Sequence, residues 1–417
     1  MLSVLQYLLL ILLLLRPQEV LPALAGIPVV QIVLLLALAA WILKPDKALE
    51  QPQFRILLPL LGVMCLGVGL NGWLGGMPRV LLDLAPAVSI FLVTSMATRN
   101  LRAFNVTAWL IVVCSALLVW HSAVQMSTGL GPLTNIKSFE GRPYYVGTLA
   151  DPNDLGQLFT ISIALAIYLT VRQQRWLARL GVVAIIGWLG YGVLLTNSRG
   201  AMLAALGVLG VVGVQRFGKV AVLSVAALSI PVLLAATRLS QLNPEEESAA
   251  GRVEAWYEGM QMLRQNPLFG VGYGGFTDHN YLTAHNFLVL PIAELGLVGF
   301  TLWLAMVWYT IRATWWIAYG PHTAQLAELT ADQHEEVRAG RAMTLALLAF
   351  GISSIFLSQS YKFQIFLLMG MAVARFVAAA SVLPEPPVYR IGGDLWKLVR
   401  NAISVIIVMY VLIRVLL

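Results

Sequence analysis

Long apolar runs recur along the whole chain and constrain its fold more than any other feature of the sequence. A helix that crosses a bilayer needs about 20 consecutive apolar residues, and the apolar 59% of these 417 residues could supply on the order of 12 such helices. Only 11% of the residues are charged, less than half of the roughly 25% usual in a soluble domain. Outer-membrane barrel strands alternate polar and apolar residues, which these runs do not. The composition therefore predicts an all-α, polytopic transmembrane bundle and excludes a soluble enzyme or a disordered chain.

Thirteen apolar segments are candidate spans, and we expect about 12 to 14 in all. They lie at about 1–15, 24–43, 54–70, 79–97, 103–123, 153–171, 177–196, 199–215, 219–236, 286–310, 342–359, 363–381 and 401–417. The first run lacks the basic region that begins a signal peptide, so we interpret it as a retained first helix. No segment resembles a separate soluble domain, so residues 1–417 are expected to form one integral membrane domain.

Lysine and arginine are distributed unevenly between the two sides of this alternating topology. Seventeen of the 27 lie on the side of Lys44 and Lys47 and ten on the other, although the second side has the longer loops. Because cytoplasmic loops carry the excess of these residues, we expect a cytoplasmic N-terminus. Two periplasmic loops are predicted at about 124–152 and 237–285. A cytoplasmic loop at about 315–340 is expected to form a solvated helix that includes Glu336.

The second periplasmic loop is predicted to contain an amphipathic helix. Asn243-Pro244 followed by three glutamates is typical of a helix start. Apolar residues then recur with helical spacing, which predicts a helix on the outer membrane face that ends near Asn266-Pro267. These apolar residues are Val253, Trp256, Met260 and Leu263. The glycines that follow, between residues 270 and 275, predict a flexible turn.

Several ionisable residues lie on the predicted outer side, and each has a structural as well as a functional interpretation. Arg199 could be an interfacial arginine that extends towards water, and Arg252 a solvated helix residue. His285 could be a helix cap. Glu294 lies inside an apolar helix, where a carboxylate is a functional hypothesis by default, but it could simply bond a neighbouring helix. Asp151 and Asp154 flank Pro152 as an N-cap and third-position acid would.

Short motifs on the outer side occur in a fixed order along the chain. They are Asp151-Pro152-Asn153-Asp154-Leu155, then Ser198-Arg199-Gly200-Ala201, then Gly251-Arg252 with Trp256, then Asn266-Pro267-Leu268-Phe269-Gly270-Val271-Gly272, and last His285-Asn286 with Gly296 and Gly299. Together they resemble the O-antigen ligase and polymerase superfamily of bacterial envelope glycosyltransferases. The resemblance covers about residues 145–310, and His-Asn-x9-Gly-x-x-Gly is its most specific part. Gly296 and Gly299 are expected to permit close helix packing.

The resemblance implies a metal-independent, inverting transfer of a glycan in the bacterial inner membrane, with no cofactor. The donor would be a glycan on undecaprenyl diphosphate. The acceptor would be a sugar hydroxyl, on lipid A-core in a ligase or on another glycan in a polymerase. The partners are therefore these two substrates and the lipid bilayer, and no nucleic acid is expected.

The chemistry of such a transfer suggests roles for the outer residues. A diphosphate leaving group needs positive charge, which Arg199 and Arg252 could supply in bidentate fashion. A sugar hydroxyl is a poor nucleophile and needs a base, for which His285 is the catalytic candidate. The possible supporting residues are Asn286, Glu294, Tyr361, Lys362 and Arg142. No cluster of metal-ligand residues is evident on the outer side.

Three functions remain open from the sequence. One dominant outer loop favours a ligase, whereas Arg264 with Gly275 loosely resembles a polymerase motif. A polytopic transporter is the alternative of another class. Transporters have broken or polar helices at the bilayer midplane, and the small number of ionisable residues in the spans favours an enzyme.

Overall fold

Helices joined by mostly short connections make up the chain. The computed structural model describes residues 1–24, 26–236 and 247–417. The α-helices are α1 (Leu2–Leu14), α2 (Pro17–Val20), α3 (Val29–Ile42), α4 (Pro52–Leu70), α5 (Met77–Ala97), α6 (Leu101–Thr128), α7 (Pro152–Arg172), α8 (Trp176–Thr196), α9 (Arg199–Ala236), α10 (Glu247–Gln265), α11 (Phe276–His279), α12 (Val289–Tyr319), α13 (Ala331–Ser354), α14 (Phe363–Ala380) and α15 (Ile391–Leu416). All thirteen predicted apolar segments overlap these helices, which confirms the all-α polytopic fold.

Nine stretches of the described residues are long and apolar enough to cross a membrane, and α1 and α3 are shorter apolar helices. The other two predicted segments, 219–236 and 342–359, are not separate spanning helices, each for a local reason. The segment at 342–359 comprises the second half of α13, whose first turns are polar, and the first five residues after the helix ends at Ser354. The segments at 199–215 and 219–236 are both parts of α9, which bends at Gly218, where φ is 81° and ψ is 166°.

The centre of the bundle is formed by α7, α12, α13 and α14, whereas α8 and α15 expose most of their surface at its periphery. Polar side chains join the central helices. Ser115 and Ser162 hydroxyls lie 2.7 Å apart between α6 and α7. Gln157 of α7 donates to Ser353 Oγ at 3.0 Å and Ser354 Oγ at 2.7 Å on α13. Such interhelical hydrogen bonds stabilise helix association where the surroundings are apolar.

The helix α12 is broken at Gly296, which has φ 60° and ψ −167°. A Cβ at this position would lie 2.5 Å from the backbone of Leu268 and Gly270. The glycine is therefore required by backbone conformation, and our prediction that it merely permits helix packing was wrong. Gly299 does lie at a close contact, because a Cβ there would be 2.6 Å from Leu295 Cβ and 3.0 Å from Val63 Cγ1.

The Pro267–Gly272 segment pairs with the backbone groups that this break leaves without helical partners. Val271 N–H donates to Ala293 O and Gly272 N–H to Glu294 O, both at 3.0 Å. In the other direction, two N–H groups of α12 donate to Pro267 O at 2.8 Å and Leu268 O at 3.0 Å; they belong to Leu297 and Val298. Our sequence prediction of a flexible turn was therefore wrong, since four hydrogen bonds fix the first part of this glycine-rich segment against α12.

The predicted amphipathic loop helix is α10. Its proposed start at Asn243-Pro244 lies outside the described residues. Its apolar stripe faces protein, because Trp256 and Met260 are buried and α10 packs against α12 and α15. Gly259 allows this approach, since a Cβ there would lie 2.6 Å from Val289 Cγ1. The helix is therefore part of the bundle surface around the start of α12.

A buried ion pair holds the opposite end of the bundle together. The fully buried Arg375 of α14 pairs with Glu336 of α13. Its guanidinium also donates to the carbonyl oxygens of Thr98 at 3.1 Å and Arg99 at 2.7 Å. Our sequence prediction that Glu336 belongs to a solvated helix was therefore wrong, because only 6% of this residue is exposed.

Loops distant in sequence converge at one end of the bundle, which we call the loop end. Its segments are residues 15–24, 26–28, 71–76, 129–151, 197–198, 266–288 and 355–362. Contacts between them include Asn71 Nδ2 to Gly270 O at 3.0 Å and Arg142 Nε to Thr196 O at 2.9 Å. The 355–362 segment, which we call the α13–α14 connector, touches residues near the start of α12.

A cysteine-accessibility experiment tests the orientation of this end. We expect Glu254→Cys, an exposed site on α10, to react with a membrane-impermeant maleimide in intact spheroplasts, because the loop end should face the periplasm. The matched site Glu328→Cys, exposed at the opposite end, should react only after lysis. Both variants need Cys65→Ser and Cys114→Ala as background. The reverse labelling pattern would contradict the topology.

Candidate active site

His285 lies in the segment that leads into α12, in an unusual backbone conformation. Its φ of 44° is in the left-handed region, which non-glycine residues seldom occupy without support. The support comes from the α13–α14 connector, where Ser358 Oγ accepts the His285 N–H at 2.9 Å. Ser358 Oγ also lies 2.9 Å from Thr283 Oγ1, and Phe287 N–H donates to Ser354 O at 3.0 Å. The imidazole is thus presented by a fixed backbone.

Asn286 anchors the same segment. Its Oδ1 accepts the N–H groups of Leu288 at 2.8 Å and Val289 at 3.0 Å, which begin α12 and have no helical partners of their own. Its Nδ2 donates to Ile355 O at 3.0 Å. Asn286 therefore caps α12 through its side chain. The neighbouring His285 side chain is not needed for this cap.

The surroundings of His285 favour the neutral form of its imidazole. Burial lowers its pKa below the usual 6.5, and the positive charges of Arg252 and Lys362 lower it further, while Asp151 acts in the opposite direction. The side chain is half-buried, so it also reaches the surface of the loop end. A neutral imidazole near two cations can accept a proton beside a bound anion.

Arg142 links the long first loop to α7 and to the α8–α9 hairpin. Its Nε donates to Thr196 O at 2.9 Å and its Nη2 to Asn153 Oδ1 at 3.0 Å. Asp151 Oδ1 in turn accepts from Asn153 N at 2.7 Å as the N-cap of α7. The predicted capping role of Asp151 therefore matches the structure, and Arg142 lies close to that cap.

Asp154 has a different role from the helix-start acid that the sequence suggested. Its side chain is 2% exposed and extends across to the α13–α14 connector. There it accepts hydrogen bonds from Gln359 and Lys362, forming an ion pair with the latter. The predicted position of Asp154 as the third residue of α7 is confirmed, and its carboxylate binds partners far along the chain that the sequence did not suggest.

Arg199 and Arg252 both lie at the loop end and both are half-buried. Arg199 is the first residue of α9, beside the Thr196 carbonyl that accepts from Arg142. The adjacent Gly200 permits close packing, since a Cβ there would be 3.3 Å from Ser353 O and from Phe356 Cδ2. Arg252 lies near the beginning of α10 and is close enough to His285 to influence its pKa.

Glu294 is buried at the break in α12, with 3% of its surface exposed. Its Oε1 accepts the Phe276 N–H at 3.3 Å. It lines a cavity of about 820 Å³ together with Tyr361 and Lys362. The supporting residues proposed from the sequence therefore lie in three different environments. Glu294 and Tyr361 face the cavity, Asn286 and Arg142 fix the loops, and Lys362 adjoins both the cavity and His285.

Several site residues had no local signal in the sequence. Ser358 and Gln359 follow α13 by only a few residues, in what the sequence suggested was the end of a span. Tyr273 and Thr283 also line the site, within the loop region. The roles of Ser358 and Gln359 are evident only from the residues that they contact, His285 and Asp154. Each contact joins residues more than 70 positions apart in sequence.

No group of three His, Cys, Asp or Glu side chains within the described ranges is arranged to hold a metal ion. The positive charges near His285 come instead from Arg252 and Lys362. Lys362 is already paired with Asp154, so Arg252 is the cation near His285 that could contact an anion while the neutral imidazole accepts a proton.

Comparison with known proteins gives one family match. No curated protein matches the sequence. The family model O-Antigen ligase (Wzy_C) matches residues 184–304, less than a third of the chain. This segment contains Arg199, Arg252, His285 and Glu294, and the α12 break with its paired loop. The resemblance stated from the motifs is thereby confirmed: residues 184–304 of this multi-pass membrane protein are similar to the O-antigen ligase family.

Proposed function

We propose that the protein is an O-antigen ligase. It moves a glycan from undecaprenyl diphosphate to a sugar hydroxyl of lipid A-core at the periplasmic face of the inner membrane. The observation that carries this proposal is that the matched family segment contains Arg199, Arg252 and the half-buried His285, and that the charge of Arg252 lowers the pKa of His285. The matching family is the O-antigen ligase family, which favours ligation over the related polymerase reaction.

The transfer needs one proton acceptor and one site for negative charge. In this proposal the acceptor hydroxyl attacks the anomeric carbon, and His285 takes its proton. The new glycosidic bond forms as the bond from the anomeric carbon to the diphosphate oxygen breaks, with inversion at that carbon. Undecaprenyl diphosphate leaves with its electron pair, and Arg199 and Arg252 stabilise the growing charge. Water then removes the proton from His285.

The second reason for these roles is that neighbouring residues hold the His285 backbone in place. Its backbone is held by Ser358 and its neighbour Asn286 caps α12, so movement of the imidazole is restricted. Preorganised groups need little rearrangement as charge develops, which is the main source of their catalytic effect. A transporter would not need a neutral imidazole that the protein holds beside two cations.

Deletion of the gene, with complementation by the wild type, tests the function. We expect the deletion strain to accumulate undecaprenyl-linked polymer and to lack polymer on lipid A-core. The purified protein should transfer that polymer to lipid A-core in the presence of EDTA, because arginines supply the positive charge. Single repeats on lipid A-core would indicate a polymerase instead. Loss of transfer in EDTA that Mg²⁺ or Mn²⁺ restores would contradict metal independence.

Replacement of the proposed base should separate chemistry from binding. We expect His285→Ala to reduce transfer by about 10² to 10⁴, the usual range for loss of a general base, while donor binding changes little. The matched control is His279→Ala, because His279 is exposed at the same end of the bundle. Transfer and donor binding should be measured on the same purified samples. Near-normal transfer by His285→Ala would rule out the assignment.

Substitution of Arg252 tests its charge and its shape separately. Because the pKa of His285 is lowered, wild-type activity should stay constant from neutral pH down to below about 6.5 and fall at lower pH. Arg252→Ala removes one cause of the lowered pKa, so this decline should begin at higher pH. Donor binding should also weaken, roughly tenfold to hundredfold, as charged hydrogen bonds are lost.

Arg252→Lys keeps the charge but lacks the planar fork that binds phosphate in bidentate fashion. We expect it to retain the wild-type pH profile and still bind donor poorly. Arg264→Ala, exposed on the same helix, is the matched control and should behave as the wild type. A pH profile and donor affinity that do not change in Arg252→Ala would contradict the assigned role.

A further inference from the structure

The first two turns of α7, residues 152–157, contact three separate parts of the loop end, and we call them the α7 start. Asn153 Oδ1 accepts a hydrogen bond from Arg142 of the first long loop at 3.0 Å. The Asp154 side chain binds the α13–α14 connector, and Gly156 faces the α8–α9 hairpin. Neighbouring residues of one helix thus join segments that are far apart in sequence.

Asp154 joins the α7 start to the connector through both of its carboxylate oxygens. Oδ1 accepts a hydrogen bond from Gln359 Nε2, and Oδ2 pairs with Lys362 Nζ. The carboxylate is buried, since only 2% of the residue is exposed. Loss of one partner of a buried charge is strongly unfavourable, because the remaining charge has no water to solvate it. The connector therefore has one favoured position against α7.

The connector also contacts the segment that contains the proposed base. Ser358 Oγ accepts the His285 N–H at 2.9 Å, and Ser360 Oγ donates to Phe287 O at 2.7 Å. These two bonds hold the backbone at His285 and at the second residue after it. The position of the imidazole relative to α7 is therefore set through the connector.

Gly156 allows the α8–α9 hairpin to pack closely against the α7 start. A Cβ at this position would lie 2.7 Å from Ala201 Cβ and 2.9 Å from Thr196 Oγ1. Both of these residues are buried, and they lie on either side of Arg199, the first residue of α9. Because neither contact can be relieved by a flexible side chain, any larger residue at position 156 would displace the start of α9.

We propose that the α7 start is a positioning element that holds His285 and Arg199 at a fixed separation for the transfer. Asp154 positions the base through the connector, and Gly156 positions the donor arginine through the hairpin. This inference rests on the proposed function and deepens it, because the proton acceptor and the diphosphate site must both be aligned with one anomeric carbon. Both residues are buried and act through the segments that they contact.

Replacement of Asp154 should slow the chemical step without weakening substrate binding. Asp154→Asn keeps the shape of the side chain and removes the charge that pairs with Lys362. We expect kcat per folded molecule to fall roughly tenfold to hundredfold, with the KM for either substrate unchanged, because a displaced base reacts slowly. The matched control is Asp278→Asn, which makes the same charge change at an exposed residue of the loop end and should leave all three constants unchanged.

Replacement of Gly156, two residues further along the same helix, should have a different kinetic effect. The methyl group of Gly156→Ala displaces the start of α9, so we expect the KM for the undecaprenyl-linked donor to rise roughly tenfold, with the KM for lipid A-core unchanged. The matched control is Gly190→Ala in α8, where a Cβ would meet no atom within 4 Å. A donor KM that stays normal in Gly156→Ala would overturn the role of Gly156.

Hydrogen exchange of the purified protein measures the positioning of the base without any substrate. In Asp154→Asn we expect faster exchange of the backbone amides at residues 285–288, which the connector holds. The amides at residues 334–340, at the opposite end of α13, should keep their wild-type rates. If exchange changes in this selective way and the wild type transfers no glycan, only the transfer proposal fails.

Three results would overturn the role of Asp154 in an active enzyme. They are a normal kcat per folded molecule in Asp154→Asn, unchanged exchange at residues 285–288, and faster exchange along the whole chain, which would indicate a role in folding alone. If Asp154→Asn fails to fold, Gln359→Leu serves instead, because it removes one hydrogen bond to the carboxylate and keeps the ion pair. The same selective changes are expected, and wild-type kcat and exchange in that variant would overturn the proposal.

Discussion

Backbone N–H and C=O groups that leave a helix inside a membrane must find partners within the protein. The break in α12 meets this requirement because the Pro267–Gly272 segment supplies four backbone hydrogen bonds to it. The pairing ties the long loop between α9 and α12 to the centre of the bundle. It also fixes Glu294 at a cavity wall and leaves α12 free to begin beside the α13–α14 connector. The geometry of the loop end thus depends on this pairing.

The same connector joins the two halves of the proposed site. Ser358 holds the His285 backbone, whereas Gln359 and Lys362 bind the Asp154 carboxylate at the start of α7. Arg252 lies close enough to His285 to influence its pKa, and Ser358, which accepts the His285 N–H, also lines the cavity that contains Glu294. Broken helices are typical of transporters, and α12 is broken, so helix continuity no longer argues against a transporter. The family match is therefore the reason for preferring an enzyme.

Much of the site could be predicted from the sequence because the motifs are local. The His285-Asn286 pair, the two arginines and the helix start at Asp151 each have a short signature with a chemical reason. Glu294 was recognisable as an unusual carboxylate, but its cavity was not. The structural role of Asp154 was missed because its partners come from a connector more than 200 residues later.

The sequence by itself determined the membrane bundle, since long apolar runs can be buried only in lipid or in one another. It also determined which ionisable residues lie on the loop side. Only the tertiary structure decided that α12 is broken at Gly296 and that the glycine-rich segment completes it. A helix break has no signature when the missing hydrogen bonds are supplied by residues more than 20 positions away. For the same reason, the cavity that Glu294 lines became visible only once distant segments were packed together.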